Sequence, residues 1–506
     1  MVSDDLLART RPERPTPTPV ADLAAWLERR PDGLVESRGD LGVLVTGVSL
    51  SSQRIRPGDL YAALPGARAH GIDFAGDAVA AGAVAILTDP AGAARVSGVP
   101  LLVAERPRAV LGHLAARLYG EPAAALRLIG VTGTQGKTTT TRLAEGGLEA
   151  AGICAAVVGT VGTRVAGEDV KTGLTTPEAP DLHGLFARMR ERGVEACAME
   201  VSSHALVMGR VDGVVFDVAV FTNLGRDHLD FHADVEDYYR AKASLFDPGR
   251  SRRGLVSIDD EHGRRLAAEA PIPVRTYSLH HADADWRATE VVLSAAGSRF
   301  MVLGPGGVEV EAGCPLPGDF NVANALAAVA ACAEAGFDPA AVAAGIAAGG
   351  GVPGRLERVD AGQAFAVVVD YAHKPDAVAA AIGTLRPLTD GRVIVVLGAG
   401  GDRDPGKRPL MGEIAARLAD LLIVTDDNPR TEDPAAIRRE VLAGAAGPGD
   451  SVEVGGRREA IRRALAEATP GDIVLVAGKG HETGQEVAGS VHPFDDREVV
   501  LEELGR

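Results

Sequence analysis

A chain of 506 residues is too long for one hydrophobic core, so two to four domains are expected. The formal net charge of −17 excludes a nucleic-acid or anionic-membrane surface as its main business, and no apolar run approaches the length of a membrane span. Aromatics are only 4% against abundant alanine and glycine, which suits tightly packed α/β layers of small side chains.

Residues 1–20 are charged and proline-rich, with no apolar core of a signal peptide, and predict a flexible or extended lead-in. The cysteines Cys154, Cys197, Cys314 and Cys332 have no metal-ligand spacing and read as reduced thiols of a cytoplasmic protein. Residues 21–125 predict a small domain with strands at 43–48, 60–64, 84–87 and 101–103 and a helix over 106–119. Its loop Gly66-Ala67-Arg68-Ala69-His70-Gly71 suits either a small anionic ligand or a solvated turn.

Residues 126–354 predict a second domain, opened by the apolar run Leu128-Ile129-Gly130-Val131 and then Thr132-Gly133-Thr134-Gln135-Gly136-Lys137-Thr138-Thr139. A helix-compatible stretch follows. A strand, a glycine turn and a helix N-terminus make a phosphate cradle, because glycines let backbone N–H groups approach an anion. Lys137 suits the outer phosphates of a nucleotide and the Thr138 hydroxyl suits magnesium, although the general P-loop pattern asks for glycine where Val131 stands. Further strands at 155–158, 196–201, 218–222 and 255–258 alternate with helices, which implies a mostly parallel sheet with ligands at its C-terminal edge. Glu200, at a strand end beside the loop, is placed to take magnesium. In Asp227-His228-Leu229-Asp230-Phe231-His232, one of the histidines is a candidate ligand for a second metal. Lys242 lies on a helix among apolar neighbours. Burial disfavours a lysine's charge, and a neutral amine can add carbon dioxide to give a carboxylate-like carbamate, but the stretch alone favours a helix-surface lysine.

After Gly349-Gly350-Gly351-Val352-Pro353-Gly354, residues 355–506 predict a third, Rossmann-like α/β domain with strands at 365–369, 393–397, 421–424 and 473–476. Polar clusters again follow the strands: Asp370-Tyr371-Ala372-His373, Gly400-Gly401-Asp402-Arg403, Asp427-Asn428-Pro429-Arg430 and Gly478-Lys479-Gly480-His481-Glu482. Their regularity predicts a second half-site facing the first.

Taken in order, Thr132-Gly133-Thr134-x-Gly136-Lys137-Thr138-Thr139, Glu200-x-Ser202-Ser203-His204, Asn223-Leu224-x-x-Asp227-His228-Leu229-Asp230, Lys242, Gly318-x-Phe320-Asn321-x-x-Asn324, Gly354-Arg355-x-Glu357 and Asp370-Tyr371-Ala372-His373 resemble the Mur ligase family. These are three-domain, ATP-dependent amide ligases that build the peptidoglycan stem peptide. The resemblance runs from about residue 40 to 490. It implies an N-terminal UDP-sugar-binding domain, a central P-loop ATPase domain and a C-terminal amino-acid-binding domain. Asp427-Asn428-Pro429-Arg430 is similar to the motif of members that add diaminopimelate, where lysine-adding relatives lack the arginine. A guanidinium pairs bidentately with the second carboxylate that lysine does not have.

The resemblance also implies residue roles. ATP would be held by Thr132, Gly133, Thr134, Gln135, Gly136, Lys137, Thr138, Thr139, Asn324, Arg355, Asp370 and His373, and magnesium by Thr138, Glu200, His228 and Lys242 as its carbamate. The UDP-N-acetylmuramoyl dipeptide would meet Leu50, Ser52, Ala67, Arg68, Ala69, Thr175, Thr176, Ser202 and Arg210, with Met208 a departure where some relatives have glutamine. Diaminopimelate would meet Arg403, Asp427, Asn428, Pro429, Arg430, Gly478 and Glu482, the last through an ammonium group. The implied reaction phosphorylates the D-glutamyl γ-carboxylate and then joins the amine, with Lys137, Glu200, His228 and Lys242 as the catalytic set and the third domain closing over the nucleotide. A monomer acting on small molecules is expected. The rivals are a sibling ligase, lysine-adding or of folylpolyglutamate synthase type, and a non-catalytic nucleotide-binding protein.

Overall fold

Parallel strands covered on both faces read as unbroken apolar runs, and such runs in this chain form its sheets. The computed structural model describes residues 10–225, 227, 228 and 230–505. It separates into two compact units. One is built on the chain up to Arg287 with Gly304–Gly307 and Leu326–Gly345, the other on Ala288–Leu303, Val308–Ala325 and the chain from Ile346 onward. Among the described residues no helix is long and apolar enough to cross a membrane, and all four cysteines are free thiols, three of them buried.

The first unit is built on two main sheets. The smaller runs Glu36–Arg38, Leu101–Val103, Ala85–Thr88, Asp59–Ala62, Gly47–Ser49, parallel but for its first strand. The helices Val20–Leu27 and Pro107–Leu118 cover one face through Leu23, Leu27, Leu111 and Leu114, and Ile72, Ala75 and Ala78 cover the other. The lead-in is extended but pinned from Thr10 onward. Arg11 Nη1 donates to both carboxylate oxygens of Asp59 at 2.8 and 2.7 Å, and Thr18–Pro19 pairs with Leu44–Val45. Proline-rich composition does not reveal an anchor that lies 48 residues away in sequence. The rest of the lead-in, residues 1–9, lies outside the described residues, as does Leu229 of the Asp-His-Leu-Asp motif.

The larger sheet has the parallel order Ala155–Gly159, Ala196–Glu200, Arg127–Thr132, Phe216–Phe221, Ser251–Ser257, Val274–Ser278. The hairpin strands Gly162–Val165 and Glu168–Val170 extend one edge. Register decides what the sheet can do. Glu200 pairs with Val131 and Phe221 with Thr132, so three polar segments leave the same C-terminal edge side by side.

The sheet of the second unit runs Glu357–Arg358, Ala366–Asp370, Ile473–Ala477, Val393–Ala399, Leu421–Asp426, Asp450–Glu453. All but the first strand are parallel. Asp370 and Leu397 both pair with Ala477, and Ala399 with Asp426, which aligns the loops at 371, 400, 427 and 478 along one edge. Helices bury both faces. The C-terminal helix Asp496–Leu504 is tied in by a fully buried ion pair, Arg457 to Asp496 at 2.7 Å. A hairpin, Gly484–Val487 with Ser490–Pro493, follows the 478–482 loop.

Candidate active site

The loop after Arg127–Thr132 is shaped by its glycines. Gly133 has φ 149° and Gly136 has φ 85°, both in the region that L side chains avoid, and a Cβ on Gly133 would collide with Thr222 Oγ1. The neighbouring strand's exit templates the rest. Asn223 accepts from Gln135 N at 2.9 Å through its side chain and from Thr134 N at 3.0 Å through its carbonyl, and Thr222 Oγ1 donates to Gln135 O at 2.6 Å. The helix Lys137–Ala150 starts directly from this loop, so its first N–H groups face the cradle. Lys137 folds back across the loop, donating to Gly133 O at 2.8 Å and Thr134 O at 3.1 Å.

Beside the cradle lies Glu200, 1% exposed. It accepts from Thr138 Oγ1 at 2.9 Å, from Thr160 N at 2.7 Å and from Thr160 Oγ1 at 3.1 Å. A hydroxyl and a carboxylate at this spacing are hard oxygen donors of the kind magnesium takes. Among the described residues no group of three or more His, Cys, Asp or Glu forms a ready metal cage.

The two histidines of the Asp-His-Leu-Asp-x-His segment part company. His232 is buried with both ring nitrogens engaged, Nδ1 at 3.0 Å from Asp237 and Nε2 at 2.9 Å from Ser203 Oγ, so it has no lone pair to spare for a metal. His228 sits at φ 54°, its ring 4.9 Å from that of His204 and 6.1 Å from that of Tyr238. Tyr238 in turn lies under Lys242, whose Nζ is 4.5 Å from the ring centre. Lys242 is 1% exposed and donates to Gly133 O at 2.7 Å. Burial, and then the charge of Lys137, push its amine well below the usual lysine range. The helix-surface reading of Lys242 is therefore excluded.

A second group surrounds the end of the Ala196–Glu200 strand. Thr176 Oγ1 donates to Glu200 O at 2.8 Å and accepts from Ser202 N at 3.2 Å, and Thr175 Oγ1 lies 3.0 Å from Thr160 Oγ1. Arg210 pairs with Glu178 at 2.9 Å, and Arg108 shares that carboxylate. Ser52 opens the short turn Ser52–Arg54, and Arg54 pairs with Asp181 through two bonds of 2.9 and 2.8 Å, next to the Thr175–Thr176 turn; Leu50 packs on the small domain's core. Ala67, Arg68 and Ala69 lie on an exposed loop closed by the Pro65–His70 bridge.

In the second unit, Asp370 accepts from Leu356 N at 2.7 Å, and burial raises its carboxyl despite the nearby Arg355. Arg355 stacks over Tyr371 at 5.3 Å, and its buried Nε has no hydrogen-bond partner among the described residues. His373 Nδ1 is 2.7 Å from Tyr371 O, and burial lowers its pKa. Asn324 donates to Asn321 at 3.2 Å. The 427–430 and 478–482 loops interlock. Asn428 donates to Glu482 Oε2 at 2.8 Å, and the fully buried Lys479 donates to Asn428 Oδ1 and Glu482 Oε2, both at 3.1 Å. Gly478, at φ 118°, abuts Asp427 Oδ2. Pro429 packs its carbonyl on Gly401, beside Arg430, while Arg403 is exposed.

Comparison with known proteins agrees in order and extent. The Mur ligase family catalytic domain matches residues 44–119, the Mur ligase middle domain 131–332, and the Mur ligase glutamate ligase domain 354–480. A UDP-N-acetylmuramoyl-L-alanyl-D-glutamate–2,6-diaminopimelate ligase of Streptomyces coelicolor is 56% identical over 98% of both chains. One of Corynebacterium glutamicum is 51% identical over 90% of this chain and 91% of its own. The chain belongs to the Mur ligase family. A solved structure of an enzyme with the same name superposes with a TM-score of 0.70 at 32% identity, over 97% of this chain and 99% of the other. This Mur ligase has the three-domain α/β architecture of the family.

Several residues of this Mur ligase escape a reading of its sequence. Thr160 holds both oxygens of Glu200, Thr222 and Asn223 template the phosphate loop, and Lys479 and Glu486 brace the 427–430 loop. Asn223 and Lys479 stand inside recognisable motifs. Thr160 and Glu486 carry no such signal, since a threonine after a strand and a glutamate in a hairpin are ordinary surface choices.

Proposed function

We propose that this Mur ligase joins 2,6-diaminopimelate to the γ-carboxyl of the D-glutamate in UDP-N-acetylmuramoyl-L-alanyl-D-glutamate, consuming ATP, in peptidoglycan synthesis. The carrying observation is the Asp427–Arg430 loop, braced by Lys479 and Glu482 at one sheet edge, in a chain 56% identical end to end to a relative named for that reaction. The reading assigns residues 21–125 to the UDP-sugar, 126–354 to ATP and 355–506 to the amino acid, and takes the enzyme to act as a cytoplasmic monomer.

A carboxylate oxygen of the substrate attacks the γ-phosphorus and ADP leaves. The amine then attacks the acyl carbon and inorganic phosphate leaves. The cradle and Lys137 hold the transferring phosphoryl, whose charge grows on its outer oxygens. Lys242, its pKa lowered by burial and by the charge of Lys137, adds carbon dioxide through its deprotonated amine and releases a proton to become a carbamate. Magnesium would be held by Thr138, Glu200, His228 and that carbamate, and would supply neutralisation of the phosphoryl charge. Thr175, Thr176, Ser202 and Arg210 are assigned to the muramoyl dipeptide, and Leu50, Ser52 and the 67–69 loop to its nucleotide. Asn324, Arg355, Asp370 and His373 are assigned to ATP on their motifs.

The test is ADP release with the UDP-muramoyl dipeptide and, in turn, diaminopimelate, lysine and D-alanyl-D-alanine. Release that depends on both the dipeptide and diaminopimelate is expected. Equal release with lysine, or release without any amine, would sink the reading.

A further inference from the structure

The arginine assigned to the second carboxylate of diaminopimelate already has partners. Arg430 Nη1 donates to Gly401 O at 2.6 Å, and Arg430 Nε lies 3.2 Å from Glu486 Oε2. The backbone is held too. Arg430 N donates to Glu486 O at 3.0 Å and Ala488 N to Arg430 O at 2.6 Å, with Arg430 itself at φ 53°. An arginine in the left-handed region is maintained only where its surroundings over-determine it, and here the hairpin Gly484–Val487 does so.

The loop thus carries two carboxylates of different character. Glu482 is fixed, its Oε2 taking donors from both Asn428 and the fully buried Lys479. Glu486 has its main chain fixed by Asn428 Oδ1, which accepts from Glu486 N at 2.9 Å, but its side chain is 40% exposed and, among the described residues, forms an ion pair with Arg430 alone. Half-exposed pairs of this kind are weak and exchange readily.

We propose that Glu486 is a positioning residue and an internal competitor, whose carboxylate occupies Arg430 until the distal carboxylate of the incoming amino acid replaces it. The inference rests on the reading of Arg430 given above. Only a group that binds a guanidinium better than a tethered carboxylate can open the pair. A second carboxylate does so, offering two oxygens to the planar fork. A distal ammonium, as in lysine, does not, and leaves Arg430 and Glu486 closed on each other. Glu486 therefore makes the site pay a small cost in affinity for the right amino acid, while neutralising Arg430 against everything else.

The experiment measures KM and kcat for diaminopimelate and lysine with the full-length enzyme and the variants Glu486→Gln, Glu486→Ala, Arg430→Ala and the double variant Arg430→Ala/Glu486→Gln. The main-chain bonds that hold the hairpin do not depend on the Glu486 side chain, and thermal melting checks each fold. Glu486→Gln and Glu486→Ala are expected to lower the diaminopimelate KM about two- to fivefold, the range of a half-exposed ion pair, with the change in KM and not in kcat. Lysine kcat/KM stays where it was. In the Arg430→Ala background the Glu486 substitution has no further effect. A diaminopimelate KM that rises or stays constant in both Glu486 variants overturns the inference, a rise meaning that Glu486 holds the substrate's ammonium instead. Arg430→Ala alone should cost roughly one to two decades in diaminopimelate kcat/KM. If it leaves the diaminopimelate-to-lysine ratio unchanged, the underlying reading of Arg430 fails. If the ratio falls but Glu486→Gln does not lower KM, only the role of Glu486 fails.

Discussion

At the residue scale, Lys137 and Lys242 both donate to the carbonyl oxygen of Gly133, at 2.8 and 2.7 Å. Burial, and then the repulsion between two amines that share one acceptor, lower the pKa of Lys242 well below the usual lysine range. A neutral amine at that spot is the chemical precondition for a carbamate. Lys242→Ala should lower turnover by about two orders of magnitude or more, with partial recovery on adding formate or acetate; near-normal turnover in the steady-state ADP assay would exclude a role for Lys242. Lys137→Ala should cost as much or more, since phosphoryl transfer leans on positioned charge, and no carboxylate should rescue it. His183 gives a separate test through pH. It is buried in the helix Ala179–Glu191, with Nε2 3.0 Å from Asp212 O, and burial lowers its pKa from 6.5 to about 4. The unfolded chain therefore binds a proton below pH 6.5 that the folded chain refuses until about pH 4. Wild-type stability falls across that window, by up to about 3 kcal/mol from this group. His183→Gln, which keeps a donor but does not titrate, should be less stable at pH 7, with the gap narrowing on acidification; a constant gap in urea titrations would rule the linkage out.

At the scale of elements, the strand end Gly159 and the following Thr160 form the back wall of the site. A Cβ on Gly159 would strike Glu200 Oε1, the oxygen that also meets Thr138. Gly159→Ala should therefore displace the carboxylate and lower kcat at least about tenfold, with an unchanged far-ultraviolet spectrum and a higher magnesium requirement. If the alanine enzyme keeps wild-type kcat and magnesium dependence, Glu200 is not held as described. This wall also shows how much a sequence discloses. The strands at 101–103, 155–158, 196–201, 393–397 and 473–476 are legible, because burial on both faces forces an unbroken apolar run, and polar residues just past such a run must lie at a sheet edge. The strands Gly162–Val165 and Glu168–Val170 and the hairpin at 484–493 are not, because each has a wet face or short length and no apolar run to mark it. The same cause hides Thr160 and Glu486. Their importance comes from a neighbour brought close by folding, not from their own chemistry. Arg11 is a third example, an anchor written into a stretch whose prolines suggest slack.

At the scale of the whole molecule, two units with separate cores should not melt as one. Calorimetry is expected to resolve more than one transition. A non-hydrolysable ATP analogue with magnesium should raise the one belonging to the unit that carries Lys137, by about 2.7 kcal/mol at a hundred times its dissociation constant. A single transition with equal calorimetric and van't Hoff enthalpies would contradict this. The strand order of the second unit carries a different consequence. Ile473–Ala477, the last strand of that sheet to be made, lies between the first two major ones, Ala366–Asp370 and Val393–Ala399, and pairs with both. A ribosome working from the N-terminus delivers the outer strands first and must then supply the middle one. Until it does, the nascent chain exposes two unpaired strand edges where the finished sheet has none. Asp496, the buried partner of Arg457, emerges later still. The second unit thus completes itself only as synthesis ends, and a message cut short before codon 473 yields an open sheet that invites aggregation or a chaperone.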